Sequence, residues 1–148
     1  MSDRIDYRVV SPDGYRGFGR LHHYLATSGL ESTLIELVYL RVSQMNRCAY
    51  CVDLHSREAL TSGVGQAKLN NLVTFAESPL FSSRERAALR WAESLTLASS
   101  NAASDAEYAE VRREFTDKEL ADLTCAIALI NGFNRLGIAF RLAPDSVQ

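Results

Sequence analysis

An all-α, single-domain fold of about seven helices is what the pattern of apolar residues in this chain predicts. Three observations carry that prediction. Proline stands only at positions 12, 79 and 144, which leaves two long stretches free of the strongest helix breaker. Within them apolar residues recur at three- and four-residue spacing, and alternating strand patterns are scarce. The second half also carries three Ser/Thr-x-x-Glu capping boxes, each opening such a run. No internal repeat, low-complexity tract or long linker divides the 148 residues, so 1–148 is read as one domain.

The elements follow in order. Ser11-Pro12 reads as an N-cap with proline at the first helical position, opening a helix to about Thr27, with Gly29 as terminator. A second helix over 31–44 carries Leu34, Leu37, Val38 and Val42 on one side. Asn46 is the expected cap of a third, from Arg47 to Thr61, stopped by Gly63. A short fourth spans Gln66 to about Phe75, before the Ser78-Pro79 break. Ser82 with Glu85, Ser104 with Glu107 and Thr116 with Glu119 begin the last three. The final helix, apolar almost all round through Ile138 and Phe140, is expected at the centre.

Composition narrows the function classes. The chain is 47% hydrophobic and 23% charged, with a net charge of −2 and no basic stripe, which argues against nucleic acid as a partner. No apolar run reaches the roughly 18 residues of a membrane span. The start, residues 1–10, is polar and lacks an apolar leader segment, so a cytoplasmic protein is expected. Three cysteines in such a chain do not make a disulfide framework, which leaves redox, metal and packing roles open.

The segment from Asn46 to His55 carries the chemistry. On a helix, Cys48 and Cys51 are i,i+3 neighbours, Cys51 and His55 are i,i+4 neighbours, and all three share one stripe. The helix start favours a thiolate through its unpaired N–H groups and dipole. An imidazole one turn on can take a thiol proton, and a second thiol can resolve an oxidised first one as a disulfide. A redox pair is therefore the leading reading. A zinc site using Cys48, Cys51 and His55 would need a fourth ligand and would crowd three onto one helix; chance core packing is the other alternative. Glu36, a charge inside the apolar run from Leu34 to Leu40, is the candidate to orient His55. It is either solvated or buried with a partner.

These residues resemble a known family. Glu36, then Cys48, Cys51 and His55 in a Glu-x₁₁-Cys-x₂-Cys-x₃-His pattern, with Arg41 and Ser43 between, are similar to the AhpD-like alkylhydroperoxidases of the carboxymuconolactone decarboxylase-like superfamily. Ile5-Asp6-Tyr7, the 82–98 helix and the run from Asn131 to Leu136 extend the likeness over nearly the whole chain. The resemblance implies an all-α fold, homo-oligomers built on trimers or hexamers, and a thiol-dependent peroxidase with an antioxidant role. It implies Cys51 as the peroxidatic cysteine, Cys48 as the resolving one, and His55 with Glu36 as a proton relay. The implied partners are a hydroperoxide substrate and an external dithiol reductant of lipoyl or thioredoxin type; no cofactor or metal is implied. One departure stands out: Tyr50 occupies the place of a relay histidine between the two cysteines.

The helix-end argument favours Cys48 as the attacking sulfur and the more exposed one, whereas proximity to His55 favours Cys51; the reading adopted is Cys51. Cys125, in an apolar helix, is expected to fill the core. His22 and His23 are expected at a surface or interface, and Asp53 in solvent. Asn131 and Asn134 are expected to fix helix packing or a subunit contact, and Arg41 to be an ion-pair partner or a surface charge. The rival functions are a disulfide reductase or redox adaptor for protein or lipoyl disulfides, a lactone decarboxylase-like enzyme, and a non-catalytic oligomer.

Overall fold

The computed structural model describes residues 4–100 and 103–147; residues 1–3, the very start of the polar N-terminus, lie outside them. The described chain is helical, in the order α1 (Tyr7–Val10), α2 (Pro12–Ala26), α3 (Ser32–Asn46), α4 (Ala49–Ser62), α5 (Gln66–Asn70), α6 (Ser83–Thr96), α7 (Asp105–Arg112) and α8 (Asp117–Ala139). Short 3-10 turns follow α5 and close the chain at Leu72–Thr74 and Asp145–Val147. The all-α expectation holds, with one short helix more than predicted: α1, capped by the Asp6 carboxylate, which accepts from the Arg8 N–H at 3.0 Å. All three capping boxes form as read, each with reciprocal side-chain and backbone hydrogen bonds.

The centre is shared. α8 packs against α2, α3, α4, α6 and α7, while α3 packs against α4, α6 and α8. Leu37, Val38 and Val42 of α3 meet Leu123, Ile127 and Ile130 of α8 in the core, all at or near zero exposure. No helix among the described residues is long and apolar enough to cross a membrane.

Two expectations change here. The third helix starts at Ala49 rather than Arg47, because Arg47 takes a left-handed conformation (φ 58°, ψ 38°) that ends α3. Asn46 is the last residue of α3 and caps nothing: its side-chain amide donates to Asn131 Oδ1 and Asn134 Oδ1, both at 2.9 Å. Asn134 in turn donates to Ser43 Oγ at 3.0 Å. This partly buried polar ladder bolts the end of α3 to the middle of α8, which is the packing role expected of Asn131 and Asn134. Cys125 is the second change. It is exposed, on a stripe of α8 with Ala121, Ala128 and Arg135, and fills no core space.

Arg84 joins three regions. Its guanidinium bonds Glu31 at 2.8 Å and Glu119 at 2.9 Å, and lies 4.1 Å over the Phe115 ring. Arg84→Ala is expected to cost about 2 kcal/mol in a urea titration, between the values for exposed and buried pairs with a cation–π term added. Arg84 is the main cause holding Glu31 below the ordinary carboxylate range; for Glu119 the Thr116 N–H comes first and Arg84 second. Carboxylates lowered in the folded state add stability above their unfolded pKa of about 4.3, lost as pH falls through the lower folded values. The gap between wild type and Arg84→Ala should therefore narrow below about pH 4.

Candidate active site

α3 and α4 form an antiparallel pair around the left-handed Arg47, and that turn sets where the cysteines sit. The Cys48 N–H donates back to Ser43 O at 3.1 Å, which closes α3. Cys48 is then the N-cap of α4, and its sulfur accepts from the Cys51 N–H at 3.3 Å. Cys48 and Cys51 are joined by a disulfide, with their Cα atoms 5.2 Å apart. The two sulfurs are equally inaccessible at 2% and 4% residue exposure, so Cys48 is not the more exposed cysteine. What separates them is direction: Cys51 lines a cavity that Cys48 does not.

Behind the sulfurs lies the backbone of α8. A Cβ added at Gly137 would stand 3.0 Å from Cys48 Sγ and 3.5 Å from Cys51 Sγ. Only a residue without a side chain lets α8 come this close to the pair without displacing a sulfur.

His55, one turn beyond Cys51, is buried, and its Nδ1 lies 2.9 Å from Glu36 Oε2. The Glu36 side chain is 15% exposed, half-buried against its partner rather than solvated. An ionised carboxylate can only accept, so Nδ1 carries the hydrogen and Nε2 is left as the basic nitrogen. Arg41 does not join this pair; it bonds Glu93 at 2.8 Å. Asp53 is half-buried rather than solvated and pairs with Arg57 at 3.1 Å.

The cavity beside Cys51 has a volume of about 200 Å³. His55 and Tyr39 share its inner part, with ring centroids 5.0 Å apart; Arg8, Tyr15, Gly19 and His22 are its exposed members. Sequence reasoning expected His22 at a surface or interface and missed Tyr39; their rings are 6.0 Å apart, with His22 exposed at the cavity. Helical spacing places Tyr39 one turn from Glu36, the single signal that could have found it. The Tyr39 hydroxyl is buried and has no hydrogen-bond partner among the described residues. Leaving such a group unpaired costs roughly 1–3 kcal/mol. Burial, and after it the Glu36 charge, pushes this phenol far above its ordinary value, so it keeps its proton. Tyr50, which also lines the cavity, is raised by burial first and then by Asp145. At neutral pH it is a hydrogen-bond donor, not a base.

Among the described residues no group of three or more His, Cys, Asp or Glu side chains is placed to hold a metal ion. The arrangement can instead break and remake a sulfur–sulfur bond beside a base and a small cavity.

The sequence profile of the carboxymuconolactone decarboxylase family matches residues 12–94, a span that includes Glu36, both paired cysteines and His55. The chain belongs to the carboxymuconolactone decarboxylase family. A relative within reach of full-length alignment is the uncharacterised protein YdfG of Bacillus subtilis strain 168. It is 34% identical over 139 residues, covering 94% of this family member and 95% of YdfG. A crystal structure from Agrobacterium tumefaciens, of a protein of unknown function with a suggested assignment as the antioxidant defence protein AhpD, superposes with a TM-score of 0.92. It is 35% identical, with coverage of 97% and 98% of the two chains. The debrominase Bmp8 shares the fold at a TM-score of 0.79 and 22% identity, over 91% of this chain and 73% of its own. The AhpD-like resemblance therefore holds for family and fold.

Proposed function

We propose that this protein is a thiol peroxidase that reduces hydroperoxides through a Cys48–Cys51 dithiol/disulfide cycle. The observation that carries the reading is Cys51 itself: disulfide-bonded to Cys48, open to a cavity, and one turn from a histidine paired with a half-buried carboxylate. The suggested AhpD assignment of the Agrobacterium protein points the same way.

In the reduced state His55 Nε2 takes the Cys51 proton, and the Glu36 carboxylate stabilises the imidazolium through Nδ1–H. The thiolate attacks the terminal peroxide oxygen; the S–O bond forms, the O–O bond breaks, and the alkoxide leaves with the electron pair. The proton held on His55 converts it to the alcohol. The Cys48 thiol then displaces hydroxide from the Cys51 sulfenic acid, forming the disulfide and releasing water. An external dithiol, of lipoyl or thioredoxin type, restores both thiols by exchange and is itself oxidised. The cycle uses no cofactor. With both sulfurs nearly inaccessible, a slender dithiol entering through the cavity suits the site better than a bulky protein disulfide.

Intact-mass analysis with thiol counting tests the proposal. Reduced protein given one equivalent of cumene hydroperoxide should lose two hydrogens in mass and two of its three thiols, with Cys125 retained. Retention of all three thiols would remove the redox reading.

A further inference from the structure

We infer that the Tyr39 hydroxyl is the donor that seats an oxygen atom of the bound molecule in the cavity beside Cys51, and that this molecule is a small, uncharged organic oxygen compound. Tyr39 is 1% exposed, lines the cavity together with Cys51 and His55, and its hydroxyl has no hydrogen-bond partner among the described residues. A buried O–H on a cavity-lining ring is satisfied by an acceptor that the bound molecule brings within its reach.

Size and charge define the class. A cavity of about 200 Å³ is smaller than the roughly 300–1,000 Å³ that encloses a drug-sized ligand. It is several times the share of about 30 Å³ that a water molecule occupies in the liquid. It is therefore larger than a bare peroxide needs and fits one short alkyl or single-ring group. Leu54, Ile130, Phe133 and Leu142 supply apolar walls for that group. Arg8, the one arginine among the described lining residues, which include no lysine, is paired with Asp6 at 2.8 Å, so a carboxylate on the ligand would compete with Asp6 for it.

The inference rests on the peroxidase reading in one respect, the identity of the oxygen as the one that leaves when the O–O bond breaks. Tyr39 then donates to the developing alkoxide while His55 returns the proton. No electrons pass through the phenol, and it ends the step still protonated.

The experiment compares an alcohol with its hydrocarbon analogue on two proteins. 2-Phenyl-2-propanol and tert-butylbenzene, which differ by a hydroxyl against a methyl, are titrated by NMR into oxidised wild type and oxidised Tyr39→Phe. Wild type should lose about three- to tenfold in alcohol affinity on the substitution, the range of one net hydrogen bond, with hydrocarbon affinity unchanged. The melting temperature should not fall, because the hydroxyl has no protein partner to lose; a merely structural tyrosine would lower it. Equal affinities of the two proteins for the alcohol, or an equal loss for both ligands, would overturn the inference. Parallel turnover of cumene hydroperoxide keeps the two proposals apart. An alcohol-specific loss without turnover by wild type removes the peroxidase reading alone. Turnover by wild type with no alcohol-specific loss removes the Tyr39 inference alone.

Discussion

Cys51→Ser should reduce hydroperoxide consumption to the rate of uncatalysed thiols, whereas Cys48→Ser should still complete the first oxidation. The two cysteines are equally buried, so accessibility does not distinguish them; the cavity does, because it is lined by Cys51 and not by Cys48. With Cys51 present and Cys48 absent, attack on the peroxide yields a sulfenic acid that has no intramolecular resolver. Mass analysis of Cys48→Ser after one equivalent of peroxide should show the gain of one oxygen, and steady-state turnover should fail for want of the disulfide. The reverse pattern, oxygen gain in Cys51→Ser and none in Cys48→Ser, would assign attack to the N-cap sulfur. In that case the Cys51 N–H that points at Cys48, at 3.3 Å, would be the group favouring the thiolate.

His55→Gln should slow the oxidation of Cys51 at neutral pH by about 10²–10⁴-fold, the span that a positioned general base contributes. Glu36→Gln should act in the same direction but less, since the ring keeps its place and loses only its anionic partner. The pH profile separates this from damage to the fold. Without His55 the thiolate forms only by the thiol's own ionisation, near 8.5 for an ordinary cysteine. The variant's rate should therefore climb with pH towards wild type, whereas wild type should level off at lower pH. A variant slowed by the same factor at every pH would mean that His55 shapes the site without moving the proton. Stability is followed separately, because removing His55 leaves the half-buried Glu36 carboxylate without this partner.

Local signals in the sequence read well wherever one short segment determines the outcome. Each capping box is four residues long and satisfies its own helix end, so Ser82, Ser104 and Thr116 could be placed without knowing the rest of the fold. The stripe of Cys48, Cys51 and His55 was legible for the same reason. Glu36 was legible as a charge in an apolar run and as the candidate partner of His55, but its degree of burial was not, because that depends on α4 folding back against α3 about the left-handed Arg47. Asn46 misled by its type: a good capping residue, it is engaged by Asn131 and Asn134, more than eighty positions on. Cys125 misled by its neighbours. The nearest members of its stripe on α8, Ala121 and Ala128, tell nothing about which side of a helix faces the core, and the charged one, Arg135, lies ten residues on. The cavity was invisible because residues of α1, α2, α3, α4 and α8 each supply part of it, and no single segment carries the pattern.

The contact between Gly137 and the two sulfurs divides the latitude for change unequally around the site. On the side of α8, any added atom competes with sulfur for the same space, so substitution there trades against the dithiol itself. On the cavity side, Tyr15 and His22 stand on α2, which carries neither sulfur, and can be exchanged without touching the pair. Redesign for a new substrate thus has a natural entrance, from α1 and α2, and a wall it must leave alone.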